Sequence, residues 1–356
     1  MMLQGLSFLG QEGFLERDVL FVLSKEEIMT EFLTTQPFLI IILVFCLALF
    51  ILSKSADILT ESAASVSKMV GISEVVVGAT IVSLGTSLPE FATSLSALAT
   101  GSNDLALGNA LGSIITNMSF ILGIGILYGA IPVSKKTAFN TWLVAGSLLM
   151  LFVTGLVTQQ VIQVATLPRL LGLILLGALP VYLFFSFKNT QTAPTTSVKI
   201  SNKGLVTKLS IKTILAAVVV ALSASVLVAT VQVTARRLGV SEAIISATIV
   251  ALGTSLPELT TVIASAKRGY GGLAFGNLVG ASLMNLFLVL GTTISFSNRP
   301  LVIPTSFLQV HFPLVLLIFL YLLFCIYNSK KHRLNKKEGL FFLVMYGGYL
   351  IYNLFI

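Results

Sequence analysis

Long apolar runs separated by short polar breaks set the pattern of this chain. From Phe38 to Leu52 one hydrophobic residue follows another, without the alternation that marks strands. Runs of about 20 such residues can cross roughly 30 Å of hydrocarbon as helices. The pattern predicts ten spans, near 37–55, 74–99, 106–130, 139–157, 165–187, 212–236, 242–266, 274–296, 304–327 and 339–356. The long polar break lies between Lys188 and Lys212. It divides the chain into a first half (37–187), a linker (188–211) and a second half (212–356), each half with five spans. Residues 1–36, acidic at Glu12, Glu16, Asp18, Glu26, Glu27 and Glu31, read as an extramembrane tail or an amphipathic surface segment.

Composition sharpens this picture. Of 356 residues, 56% are hydrophobic and only 10% charged, whereas a soluble domain carries about a quarter charged residues. Closed barrels satisfy the backbone in lipid only through short alternating strands, which the runs do not show. The expected class is therefore an all-α, polytopic membrane protein. The net charge of +8 is spread over short loops, so it reads as topogenic charge and not as a nucleic-acid surface. Cys46 and Cys325 both fall in apolar spans and read as buried free thiols. The first residues lack a basic n-region, so no cleavable signal peptide is expected.

Five spans per half is an odd number, so the halves must run in opposite directions. With both termini outside, the inner loops and the linker hold sixteen Lys and Arg, and the outer segments hold six. The positive-inside bias favours that arrangement, with the linker cytoplasmic and the host a plasma or bacterial inner membrane.

Residues 71–123 and 239–291 align without a gap at a constant offset of 168, and GTSLPE is identical in both copies. Two inverted five-helix repeats follow, with the duplicated segments meeting about an axis in the membrane plane.

The acids point to the same place. Six of the fourteen lie in the tail; Asp57, Glu61, Asp104 and Glu338 are predicted in loops or at loop edges. Glu74 and Glu242 follow Ser73 and Ser241 and read as first-turn acids behind an N-cap. Only Glu90 and Glu258 remain at mid-membrane depth, at matching repeat positions, with no Lys or Arg at that level. An intramembrane acid costs about 2.5–3.5 kcal/mol on insertion scales and marks an ion or proton pathway.

The neighbours suit a hard cation. Pro89 and Pro257 lack an N–H, which frees the carbonyls of Gly85 and Gly253. Thr86, Ser87, Thr254 and Ser255 add hydroxyl oxygens beside the carboxylates, the ligand type that Ca2+ takes six to eight of. The absence of Cys and His around the motif argues against Zn2+ or Cu+. The following helices carry Gly108–Gly112 and Gly276–Gly280, a spacing that favours close packing. Ser113 and Asn117 share a face one turn apart, and Asn285 repeats Asn117; these asparagines serve equally as packing glue or as ligands.

Paired GTSLPE motifs, each followed by a GN-x-x-G helix, resemble the cation/Ca2+ exchanger superfamily, specifically its Na+/Ca2+ exchanger branch. The H+/Ca2+ branch typically has GN-x-x-E instead. The resemblance implies four cation sites between the repeats, with Glu90 and Glu258 as central metal ligands. Thr86, Ser87, Thr254 and Ser255 would line them, with main-chain oxygens of Ser83 and Ala251, and Ser113 at a further ligand position. Two positions depart from the pattern: Ala281 stands where Ser is common, and Asn285 where K+-dependent relatives have Asp. The implied activity is Na+/Ca2+ antiport by alternating access, with Na+ and Ca2+ as transported substrates, no further cofactor, lipid as surroundings and a monomer as the working unit. Ca2+/H+ antiport and a cation channel are the rival readings. No HExxH motif or nucleophile–base pair suggests an enzyme.

Overall fold

The computed structural model describes residues 31–99, 103–133, 135–188, 203–238, 251–297, 300–329 and 332–355. The expectations for residues 1–30 and for Ser241 and Glu242 lie outside them.

Helices fill nearly all of the described chain. They are α1 (Phe38–Val70), α2 (Glu74–Thr86), α3 (Leu88–Ala99), α4 (Asn103–Tyr128), α5 (Lys135–Ile162) and α6 (Arg169–Lys188) in the first half. The second half has α7 (Lys203–Arg237), α8 (Ala251–Thr254), α9 (Leu256–Lys267), α10 (Gly271–Phe296), α11 (Phe307–Asn328) and α12 (Lys336–Phe355). Among the described residues, seven helices are each long and apolar enough to cross a membrane. The pair α2 and α3, bent by 42° at a short break, makes an eighth when taken as one span.

Three helices are longer than the hydropathy pattern predicts, α5 by about a turn at each end and α1 and α7 by more. α1 runs on to Val70 and ends where Gly71 adopts a left-handed conformation, so Asp57 and Glu61 lie on a helix and not in a loop. The polar stretch after Leu52 remains helical because its Ser and Ala face protein: Ser55, Ala56, Thr60, Ser62 and Ala63 are all buried. α7 begins at Lys203, inside the predicted linker. Cys46, expected to be buried, is exposed on the lipid-facing side of α1, while Cys325 is buried; both are free thiols. Ser73 caps α2 by accepting from the Val76 N–H at 3.4 Å, with Glu74 in the first turn as expected.

α4 and α10 form the centre. In their most apolar windows 83% and 94% of residues are buried, against 22% in α1 and α6, so lipid must face the outer helices. Close packing of α10 on α2 depends on small residues. A Cβ on Gly78 would sit 2.5 Å from the Leu273 oxygen, and one on Gly280 would sit 2.5 Å from Ala79 Cα. A Cβ on Gly276 would run into the Val75 carbonyl. Gly108 and Gly112, by contrast, meet side chains of Phe307 and Tyr349 at ordinary contact distance.

Short connections gather at two ends. At one end the strands β1 (Thr166–Leu167) and β2 (Leu301–Val302) pair antiparallel, and Arg169 donates to the Ser297 oxygen at 2.8 Å. At the other, Val133 donates to the His332 oxygen, Lys68 covers the Tyr270 ring at 4.9 Å, and Lys267 covers the Tyr128 ring at 4.6 Å. Arg268 there bridges Asp57, at 3.1 Å, and Glu61. The second end collects loops predicted to be inner, the first those predicted to be outer.

Candidate functional site

The two GTSLPE motifs break their helices in the same way. Ser87, between α2 and α3, has φ −85° and ψ 6°; Ser255, between α8 and α9, has φ −88° and ψ 6°. Proline two residues on lacks the N–H that would continue the helix. The break places Glu90 in the first turn of α3 and Glu258 in the first turn of α9. A helix N-terminus favours negative charge, so each carboxylate meets a partial positive charge from its own backbone.

Each carboxylate is held from the opposite repeat. Ser87 donates to Glu258 Oε1 at 3.4 Å, and Ser255 donates to Glu90 Oε1 at 3.3 Å. The neighbouring threonines reciprocate in the same manner: Thr86 donates to Asn277 Oδ1 at 3.2 Å and Thr254 to Asn109 Oδ1 at 3.4 Å. Ser255 and Ser113 hydroxyls lie 3.4 Å apart. The structure therefore brings Glu90, Glu258, Thr86, Ser87, Thr254, Ser255 and Ser113 into one buried cluster across the two repeats. Ser83 is fully buried one turn before the break, its carbonyl accepting from the Ser87 N–H at 2.9 Å. Ala251 opens α8 at the matching point.

Asn117 and Asn285 occupy equivalent turns. A π-helical stretch starts at each, Asn117–Ile121 in α4 and Asn285–Leu290 in α10. Such wide turns shift the register of side chains and recur at functional sites. Both side chains are fully buried, and all four of their amide N and O atoms lack a partner.

Both glutamates are fully buried, and Glu90 Oε2 and Glu258 Oε2 have no hydrogen-bond partner. No Lys or Arg is buried among the described residues. Two carboxylate oxygens in this cluster are thus left unpaired, with no basic side chain buried among the described residues to compensate them. Buried polar atoms are ordinarily paired, so each unpaired carboxylate oxygen here would gain from a cation beside it. A cavity of about 550 Å3 opens elsewhere, at the end carrying Glu74, His332 and Arg333.

Asn109 and Asn277 belong to the cluster and escape a reading that weighs only the glycines of GN-x-x-G. Their signal is in the sequence: an amide at the same place in each copy, 168 residues apart.

The chain is similar to known proteins along most of its length. The model of the family described as sodium/calcium exchanger protein matches residues 40–188 and 209–355. A solved structure of the sodium-calcium exchanger NCX_Mj, soaked with 10 mM Na+ and zero Ca2+, superposes with a TM-score of 0.77 at 26% identity. That match covers 88% of this chain and 99% of the other. The uncharacterized membrane protein MJ0091 of Methanocaldococcus jannaschii is 27% identical over 240 residues, 67% of this chain and 74% of its own length. The sodium/calcium exchanger MaX1 of Methanosarcina acetivorans is 35% identical over 122 residues, about a third of either chain (34% of each).

Proposed function

The chain belongs to the sodium/calcium exchanger family, and from that premise we propose that it carries Ca2+ and Na+ in opposite directions across a membrane through the Glu90–Glu258 site. One observation carries the assignment of the site. Each glutamate has one oxygen held by a serine of the other repeat and one buried oxygen with no partner.

Two carboxylates match the charge of one Ca2+, and the surrounding hydroxyls and main-chain oxygens complete an irregular oxygen shell of the type Ca2+ accepts. Na+ is also a hard cation and competes for the same oxygens. An uncompensated pair of buried charges strongly disfavours movement of the surrounding helices, because apolar surface would pass over it. Occupied, the pair is neutral, so conformational change is open only to a loaded site. Competition for one pair of acids thereby enforces exchange.

α1 and α7 are the elements proposed to move. They pack against each other along their length and cover the break regions: α7 sets Ala217 against Gly85 and Val228 against Gly253. α4 and α10, buried almost throughout, form the rigid part. Ten spans, both termini outside, a cytoplasmic linker at 188–211 and a monomer in lipid complete the proposal, supported by the charge distribution and by the grouping of loops at two ends.

The test is reconstitution. Proteoliposomes loaded with Na+ are diluted into Na+-free medium containing 45Ca2+, at clamped pH, with choline-loaded vesicles as control. Uptake that requires internal Na+ supports exchange. Uptake driven by an acid interior and indifferent to Na+ would replace Na+ by protons as the coupling ion. Flux without either gradient would make the protein a channel.

A further inference from the structure

The two halves of the buried site are equivalent in backbone but not in chemistry. At an offset of 168, Ser87 pairs with Ser255, Thr86 with Thr254, Asn109 with Asn277 and Glu90 with Glu258. Each of these pairs makes the same contact in mirror fashion, as the reciprocal hydrogen bonds show. The correspondence fails in the second repeat where Ala251 stands for Ser83, a position argued above only for its main-chain oxygen, and at two further places where a side-chain contact is lost.

The first lost contact concerns a ligand oxygen. Ser255 contacts both Glu90 Oε1 and the Ser113 hydroxyl, at 3.3 and 3.4 Å. The equivalent of Ser113 is Ala281, fully buried and without a hydroxyl, so Ser87 lacks the second hydroxyl contact that Ser255 has, although Thr86 as well as Ser87 turns its hydroxyl to Glu258. The second lost contact concerns an anchor. Asn109 donates its amide to Ser94 Oγ at 2.9 Å and to the Glu90 main-chain oxygen at 3.0 Å. The equivalent of Ser94 is Val262, fully buried, and the Asn277 amide nitrogen has no partner at all. Thr261 Oγ, beside Val262, is also buried without a partner.

Resting on the exchange reading above, we propose that Ala281 and Val262 are specificity-determining residues that make the Glu258 half of the site the weak half for monovalent cations. A divalent ion draws most of its binding from the two carboxylate charges, which both halves supply equally. A monovalent ion gains half as much from each charge and depends more on the number and placement of neutral oxygens. The hydroxyl missing at Ala281, and a loosely held asparagine one turn before it, therefore weaken Na+ more than Ca2+ in the Glu258 half. The Glu90 half, with Ser113 present and Asn109 anchored by Ser94, is the tighter one.

The experiment measures the Na+ concentration that half-displaces 45Ca2+ from the purified full chain, together with Ca2+ affinity in Na+-free choline. Ala281→Ser supplies the missing oxygen and is expected to lower the half-displacing Na+ concentration by ~3-fold or more, with Ca2+ affinity changed by less than ~2-fold. Val262→Thr, nearly equal in volume, gives the Asn277 amide an acceptor and is expected to shift Na+ in the same direction. Ser113→Ala removes the oxygen from the tight half and should raise the Na+ requirement selectively; it carries the test if Ala281→Ser does not fold. Equal shifts for Na+ and Ca2+, or no shift in either variant, would overturn the asymmetry. Failure of Na+ to displace Ca2+ from the unmodified protein would instead overturn the exchange reading on which it rests.

Discussion

Ser255, from the second repeat, donates its hydroxyl to Glu90 of the first at 3.3 Å, and so ties the acid of one helix break to the break of the other. The reverse bond, Ser87 to Glu258 at 3.4 Å, closes the pair. Neither glutamate can be understood inside its own repeat, since each has its hydroxyl partner in the other.

This mutual arrangement predicts that the two acids fail together. Glu90→Gln and Glu258→Gln keep the shape and one acceptor oxygen but remove a charge. Each variant is expected to lose Na+-dependent 45Ca2+ uptake to the level of empty vesicles while eluting as a folded protein in detergent. Appreciable Na+-dependent flux through Glu90→Gln would mean that the site lies elsewhere.

Much of this site is legible in the chain because the duplication is ungapped. Glu90, Glu258 and their Thr-Ser neighbours stand out as the polar residues inside apolar spans, and prolines at 89 and 257 announce the breaks that the structure shows at Ser87 and Ser255. What hydropathy hides is partnership. It cannot tell that Thr86 meets Asn277 and not a residue of its own helix, because contacts across repeats leave no local period. It also misplaces the ends of α1 and α7. Ser and Ala after Leu52 look like a loop by hydropathy, yet they are small enough to bury a helix against protein, and many of the serines bond back to carbonyls one turn earlier, as Ser55 does to Ile51 at 2.8 Å. The π-helical turns at Asn117 and Asn285 have no sequence signature beyond the repeated asparagine.

Packing of α10 on α2 leads to a stability prediction. A Cβ at position 276 would meet the Val75 carbonyl, a backbone atom that cannot rotate aside. Gly276→Ala should therefore force the two helices apart, a destabilisation of about 1–3 kcal/mol by overpacking. Gly146→Ala is the control, since nothing lies within 4 Å of the added carbon. Thermal unfolding in detergent, followed by the loss of monodisperse protein, should show a clear drop for position 276 and little change for position 146.

Charge balance gives a prediction about K+. Among the described residues two acids are buried, Glu90 and Glu258, and Asn285 is a buried neutral amide with no hydrogen-bond partner. Two negative charges balance Ca2+ alone; K+ carried alongside it would leave a positive charge uncompensated in a low-dielectric interior. Na+-dependent Ca2+ uptake should accordingly be the same with K+ or choline in the medium, at clamped voltage. A several-fold stimulation by K+ would require a further acid at the site.

Motion of α1 against the rigid part can be tested at a contact far from the ions. Thr60 on α1 and Ser265 on α9 place their hydroxyl oxygens 3.3 Å apart, next to the bridge from Arg268 to Asp57 and Glu61. Exposed ion pairs contribute little, about 0–1 kcal/mol, so this junction is held weakly enough to open during a transport cycle. With Cys46 and Cys325 replaced by serine, a Thr60→Cys and Ser265→Cys pair should crosslink on mild oxidation. The oxidised protein is expected to bind 45Ca2+ but to stop exchanging it, and reduction should restore flux. Full exchange in the crosslinked protein would show that α1 keeps its place on α9 throughout the cycle, and the moving part would then have to be α7 alone.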